Sequence, residues 1–78
     1  MMLEEGEVIT LDSNGKDYIV IKKVNYKNEN YYYMMTIKKP IEVLIIKLGK
    51  NDLGQEIIIT ETDKNIIEEI IKISTEEV

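Results

Sequence analysis

Seventy-eight residues without cysteine or histidine suit one small domain, and they exclude disulfides and the usual ligands of structural zinc. The net charge of −5 is segregated: residues 1–15 hold four acids and no lysine, residues 16–50 hold eight lysines against Asp17, Glu29 and Glu42, and residues 51–78 hold eight acids against Lys64 and Lys72. Every cation is a lysine, which argues against bidentate phosphate or base-edge readout, and the missing histidine removes the commonest general base at neutral pH.

Residues 7–11 have the β-branched, alternating character of a first strand, after an acidic start unlike a secretory signal. Asn14-Gly15 then predicts a type I′ hairpin turn, which would set Leu11 opposite Tyr18 and Ile9 opposite Val20. A second strand over 17–26, a four-residue loop and a third strand over 31–39 would pair Tyr26 with Tyr31 and Val24 with Tyr33. Pro40 cannot donate to a ladder, so it closes the third strand. The apolar run within 42–48 predicts a fourth strand covered on both faces, and 55–60 a fifth, with Gly54 supplying a positive φ in the turn between them. The period then becomes helical: Ile66, Ile67, Ile70, Ile71 and Ile73 predict an amphipathic helix over 63–73, capped by Thr62 or Asp63 and fraying from Ser74. The expected fold is therefore mainly β within the α+β class. It is a single domain, 1–78, with a five-stranded antiparallel meander able to curl toward a small barrel and one C-terminal helix.

Strand alternation sorts the side chains into two faces. One collects Ile9, Leu11, Tyr18, Val20, Val24, Tyr26, Tyr31, Tyr33, Met35 and Ile37 and reads as core. The other is mixed, and from it Ile19, Ile21, Lys23, Tyr32, Met34 and Lys38 form the candidate interaction surface.

Catalytic chemistry is not expected. The adjacent Glu68 and Glu69 point in different directions from a helix, and no serine or threonine has a histidine to activate it. Lys22 and Lys47, in apolar contexts, read as snorkelling side chains at a sheet edge. Asn14-Gly15-Lys16 lacks the length and following helix of a phosphate loop. Tyr31-Tyr32-Tyr33 with Lys22, Lys23, Lys38 and Lys39 could stack bases, but alternation leaves only Tyr32 on the mixed face, which argues against nucleic acid.

Val8-Ile9-Thr10-Leu11, the turn with Gly15, Tyr18-x-Val20, Asn30-Tyr31-Tyr32-Tyr33-Met34-Met35, Val43-Leu44-Ile45-Ile46-Lys47, the Asp52-Leu53-Gly54-Gln55-Glu56 turn and Ile66-x-x-Glu69-Ile70 follow one another along the chain. In this order they resemble the YrzB-like proteins, a family of short proteins from Gram-positive bacteria. The resemblance implies an acidic stretch between the third and fourth strands, where this sequence has Lys38-Lys39-Pro40, and it carries no activity or site residue to transfer.

The sequence-level expectation is a cytoplasmic, non-enzymatic binding module without metal or cofactor, acting through contacts with a protein partner or a second copy. Two alternatives stand beside it. One is a phage or mobile-element inhibitor of a host defence protein or nuclease. The other is a protein that sequesters or senses a small anionic ligand near the lysine-rich middle.

Overall fold

The computed structural model describes residues 2–76. Its strands are β1 (Val8–Thr10), β2 (Asp17–Tyr26), β3 (Glu29–Thr36), β4 (Val43–Lys50) and β5 (Glu56–Thr60), followed by the helix α1 (Lys64–Glu76). The five strands form one antiparallel meander in the order β1-β2-β3-β4-β5, curled into a half-barrel.

Both N-terminal hairpins turn differently from the expectation. Between β1 and β2 only Gly15 has a positive φ (70°), and the Leu11 carbonyl accepts from both the Asn14 and Gly15 amides. The loop is thus four residues long, and Ile9 rather than Leu11 faces Tyr18. This two-residue slip leaves every side chain on its expected face, because the strand period is two. The type I′ turn lies instead between β2 and β3, where Lys27 (φ 51°) and Asn28 (φ 66°) are its central residues and Tyr26 faces Glu29.

A bulge in β2 decides how the core is divided. Val20 faces Met34 but Lys22 faces Tyr33, so Ile21 is an extra residue and β2 changes faces there. The single tyrosine-rich face expected from strict alternation is split in two. Leu11, Tyr18 and Val20 pack with Tyr32, Met34 and Ile46 on one face, while Val24, Tyr31 and Ile45 pack with Ile70 of α1 on the other. At the centre of β4, Ile45 and Ile46 are buried on opposite sides, as the apolar run required.

The first face, called here the curl face, is closed by the sheet's own curvature and by the N-terminal segment, whose Leu3 is buried there. Glu5 anchors that segment by accepting the Lys23 amide at 3.1 Å, and Glu4 lies 3.8 Å from Lys23 Nζ. The second, the helix face, is covered by Ile66, Ile67, Ile70, Ile71 and Ile73. Asp63 caps α1, its Oδ1 accepting from the amides of Asn65 (2.9 Å) and Ile66 (3.4 Å). The helix runs past the expected fraying point to Glu76, with the Ser74 and Thr75 hydroxyls donating to the carbonyls of Ile70 and Lys72. The third strand ends earlier than expected, at Thr36, whose hydroxyl donates to the Pro40 carbonyl and accepts from the Glu42 amide as the chain turns back.

Candidate interaction surface

The six residues expected to form one surface are scattered by the bulge. Tyr32 and Met34 are core residues of the curl face, 1% and 0% exposed. Lys23 faces Tyr32 and is half-buried under the N-terminal segment, with its Nζ against Met2 and Glu4. Ile19 is half-buried on the helix face opposite Met35, Ile21 is exposed at the bulge, and Lys38 is exposed after β3. Tyr32 and Met34 are therefore withdrawn from the surface. The physical reason is double: the bulge sends Val20 to their side, and Leu3 folds over them.

An apolar strip does remain on the helix face. Ile19, Met35 and Val43 lie in one cross-strand row, and Ile37, whose amide donates to the Asp17 carbonyl at 3.2 Å, continues it toward Pro40. Ile41 follows in the turn that the Thr36 amide closes on the Glu42 carbonyl, between the ends of β3 and β4. Helix α1 packs on Val24, Tyr31 and Ile45, farther along the strands, and leaves this row uncovered. Ile37, Ile41 and Val43 are 49%, 50% and 44% exposed. Sequence reasoning placed Ile37 in the core and did not single out Ile41 or Val43. The helix is only 13 residues long, and its reach over the sheet was not readable from its period.

Beside the strip, Gly15, Lys16, Asp17, Thr36, Lys38, Lys39 and Pro40 line a pocket of about 200 Å³. Lys16 Nζ is 2.7 Å from Glu42 Oε1, and that hydrogen bond holds the ammonium above its usual pKa. Lys38 and Lys39 are exposed on the pocket wall, and Asp17 brings the opposing charge.

A second polar group sits where β5 leads into α1. The Tyr31 hydroxyl reaches Glu29 Oε2 at 3.1 Å and Glu61 Oε2 at 3.4 Å, and Lys47 Nζ stands 3.4 Å from Glu29 and 5.9 Å from the Tyr31 ring. Burial, reinforced by the two carboxylates, pushes the Tyr31 phenol up to about 12. Lys47 lies on the interior strand β4 rather than at a sheet edge, and its charge is met by Glu29. The group ties β3, β4 and the start of the helix together.

Among the described residues no group of three acidic, histidine or cysteine side chains could hold a metal ion, and no helix is long and apolar enough to cross a membrane. No protein-family model matches the chain, and neither a curated protein nor a solved structure matches it.

Proposed function

We propose that this domain is a non-enzymatic binding module that works through protein contacts made by the strip of Ile37, Ile41 and Val43 with Met35 and Ile19. The observation that carries the reading is the cross-strand row Ile19–Met35–Val43, outside the helix-covered core, with the exposed Ile37 and Ile41 in the adjoining turn. Single exposed hydrophobics are ordinary on soluble proteins, whereas contiguous rows mark contact surfaces.

The test is a double charge substitution, Ile41→Glu with Val43→Glu, with Leu53→Glu as control. Leu53 is 82% exposed in the β4–β5 turn, away from the strip. Proteins captured from the native host, or a dimer seen by sedimentation, should persist in the control and disappear in the double variant, with the urea midpoint of both variants near that of the parent. Equal capture and equal sedimentation for all three forms would sink the reading.

A second reading has its own observation, the pocket between Lys16, Lys38 and Lys39. Because Lys16 is held by Glu42, Lys38 and Lys39 are the cations that would meet a small anionic ligand. Thermal shift against inorganic phosphate and a nucleotide panel should then show stabilisation that Lys38→Ala with Lys39→Ala abolishes. A flat response removes this reading and leaves the first untouched.

A further inference from the structure

Asn14 is the asparagine of this chain that a glycine follows. Asparagine is a chemically labile residue, and a glycine after it has no Cβ to obstruct attack by its own backbone nitrogen. In that reaction the Gly15 nitrogen gives its proton to solvent hydroxide and bonds to the Asn14 side-chain carbonyl carbon. The bond from that carbon to Nδ2 breaks, and the nitrogen leaves as ammonia after taking a proton from water. A second water then opens the cyclic imide at either carbonyl, leaving aspartate or isoaspartate in place of the asparagine.

The folded chain holds the groups that would react. The Gly15 amide donates to the Leu11 carbonyl at 2.7 Å, so the proton that must leave is engaged. Asn14 Nδ2, the leaving nitrogen, donates to the Tyr18 hydroxyl at 3.1 Å. Asn14 Oδ1 accepts from the Lys16 amide at 2.9 Å, which fixes the side chain between them. Asn14, Gly15 and Lys16 are exposed, so water reaches the loop freely. Leu11 and Tyr18, by contrast, are buried in the curl-face core and pin the loop from both ends.

We propose that Asn14 is a latent deamidation site, latched by Leu11, Lys16 and Tyr18 in the folded chain and released when the β1–β2 loop opens locally. Either product loses the Nδ2 donor to Tyr18 and adds a negative charge next to Gly15 and Lys16, which line the lysine pocket. Isoaspartate also lengthens the backbone by one carbon in a loop that sets the β1–β2 register. Opening of this loop thus leaves a permanent chemical mark beside the pocket.

The test follows the full chain near neutral pH by intact mass and by isoaspartate mapping. In native buffer Asn14 should deamidate at least about tenfold more slowly than in the same chain unfolded by guanidinium chloride. The slowing should equal the protection of the Gly15 amide against hydrogen exchange within about threefold, because both wait on the same opening. Tyr18→Phe keeps the buried ring and removes the acceptor of Asn14 Nδ2. It should raise the native rate about fivefold, the weight of one ordinary hydrogen bond, and leave the unfolded rate unchanged. If that variant does not fold, the parent's two rates and the Gly15 exchange still decide. The proposal is overturned if the folded chain deamidates as fast as the unfolded one, or if a folded Tyr18→Phe keeps the parent's rate. It is overturned equally if the slowing and the Gly15 protection differ by more than about threefold, which would place the reaction outside that opening.

Discussion

The two faces of this sheet bury comparable side chains by different means. The curl face is sealed by curvature and by one strap, with Leu3 as its buried apolar contribution among the described residues before β1. The helix face is sealed by a 13-residue amphipathic helix whose five isoleucines reach Val24, Tyr31 and Ile45 but not the Ile19–Met35–Val43 row. Self-closure buries its centre completely and leaves an open seam at the sheet's ends. A helix lid buries what lies beneath it and leaves a margin beside it. The seam and the margin are the two places where apolar side chains of this sheet stay exposed: Ile58 at the first, Val43 at the second.

Tyr31 and Tyr32, adjacent in sequence and on opposite faces, separate the two modes most sharply. Tyr32→Ala should have the largest effect, on the order of 3–5 kcal/mol, as large buried aromatics show. A domain of 78 residues has roughly 4–12 kcal/mol of stability in all, so urea titration should find this variant largely or wholly unfolded. A loss under about 1 kcal/mol would mean that Tyr32 is a surface residue after all and that the strap does not cover it.

Next come Leu3→Ala and Ile70→Ala, one for each way of closing a face. Both residues are buried, and each truncation should cost about 2–5 kcal/mol. Amide exchange distinguishes them. Leu3→Ala should raise opening at Lys23, whose amide is held by Glu5 of the strap, while Ile70→Ala should raise it across α1. If both variants deprotect both faces equally, the two cores form one cooperative unit and the contrast drawn between them fails.

The meander, the helix and the two-sided burial of β4 were legible in the sequence because each rests on a local period. What was not legible depended on one residue of register. Nothing in Val20-Ile21-Lys22 announces a bulge, since all three are acceptable in a regular strand. Yet that insertion moves Val24 and Tyr26 to the face opposite Val20 and so inverts the reading of Tyr32 and Met34. The turn chemistry misled for a related reason. Asn14-Gly15 is the stronger type I′ signal, but Gly15 serves as the left-handed residue of a longer loop, and the strand pairing drives Lys27 and Asn28 into positive φ. Leu3 was overlooked as one apolar residue in an acidic stretch, where only tertiary packing gives it a role. Of the residues expected to interact, Ile19 lies half-buried in the row with Met35 and Val43, Ile21 is exposed at the bulge and Lys38 lines the neighbouring pocket.

A smaller effect tests the helix lid from its start. Asp63 accepts two first-turn amides, so Asp63→Ala should cost about 1 kcal/mol and should lower the helical circular dichroism signal before the strand signal on heating. If the two signals instead fall together with an unchanged midpoint, the cap contributes nothing to holding the lid.

The smallest effect at neutral pH, and the most specific, belongs to Tyr31→Phe. The ring stays, so packing under the helix is kept, and only the hydroxyl shared by Glu29 and Glu61 is lost. Near pH 7 the change should be within about 1 kcal/mol, the worth of an ordinary hydrogen bond. At alkaline pH the sign can be worked out. The unfolded chain loses the phenol proton near pH 10, whereas the folded chain holds it to about pH 12 because burial and two carboxylates oppose a third negative charge. Between those values the folded state binds more protons, so stability falls as pH rises. The contribution of Tyr31 is thus fully present below pH 10 and lost by pH 12. Every other ionisable group is common to both proteins, so the parent's stability minus the variant's isolates the phenol. That difference should decline steadily from pH 9 to pH 12 in urea titrations. A difference that stays level would place the Tyr31 hydroxyl in water, and with it the boundary of the surface that the helix seals.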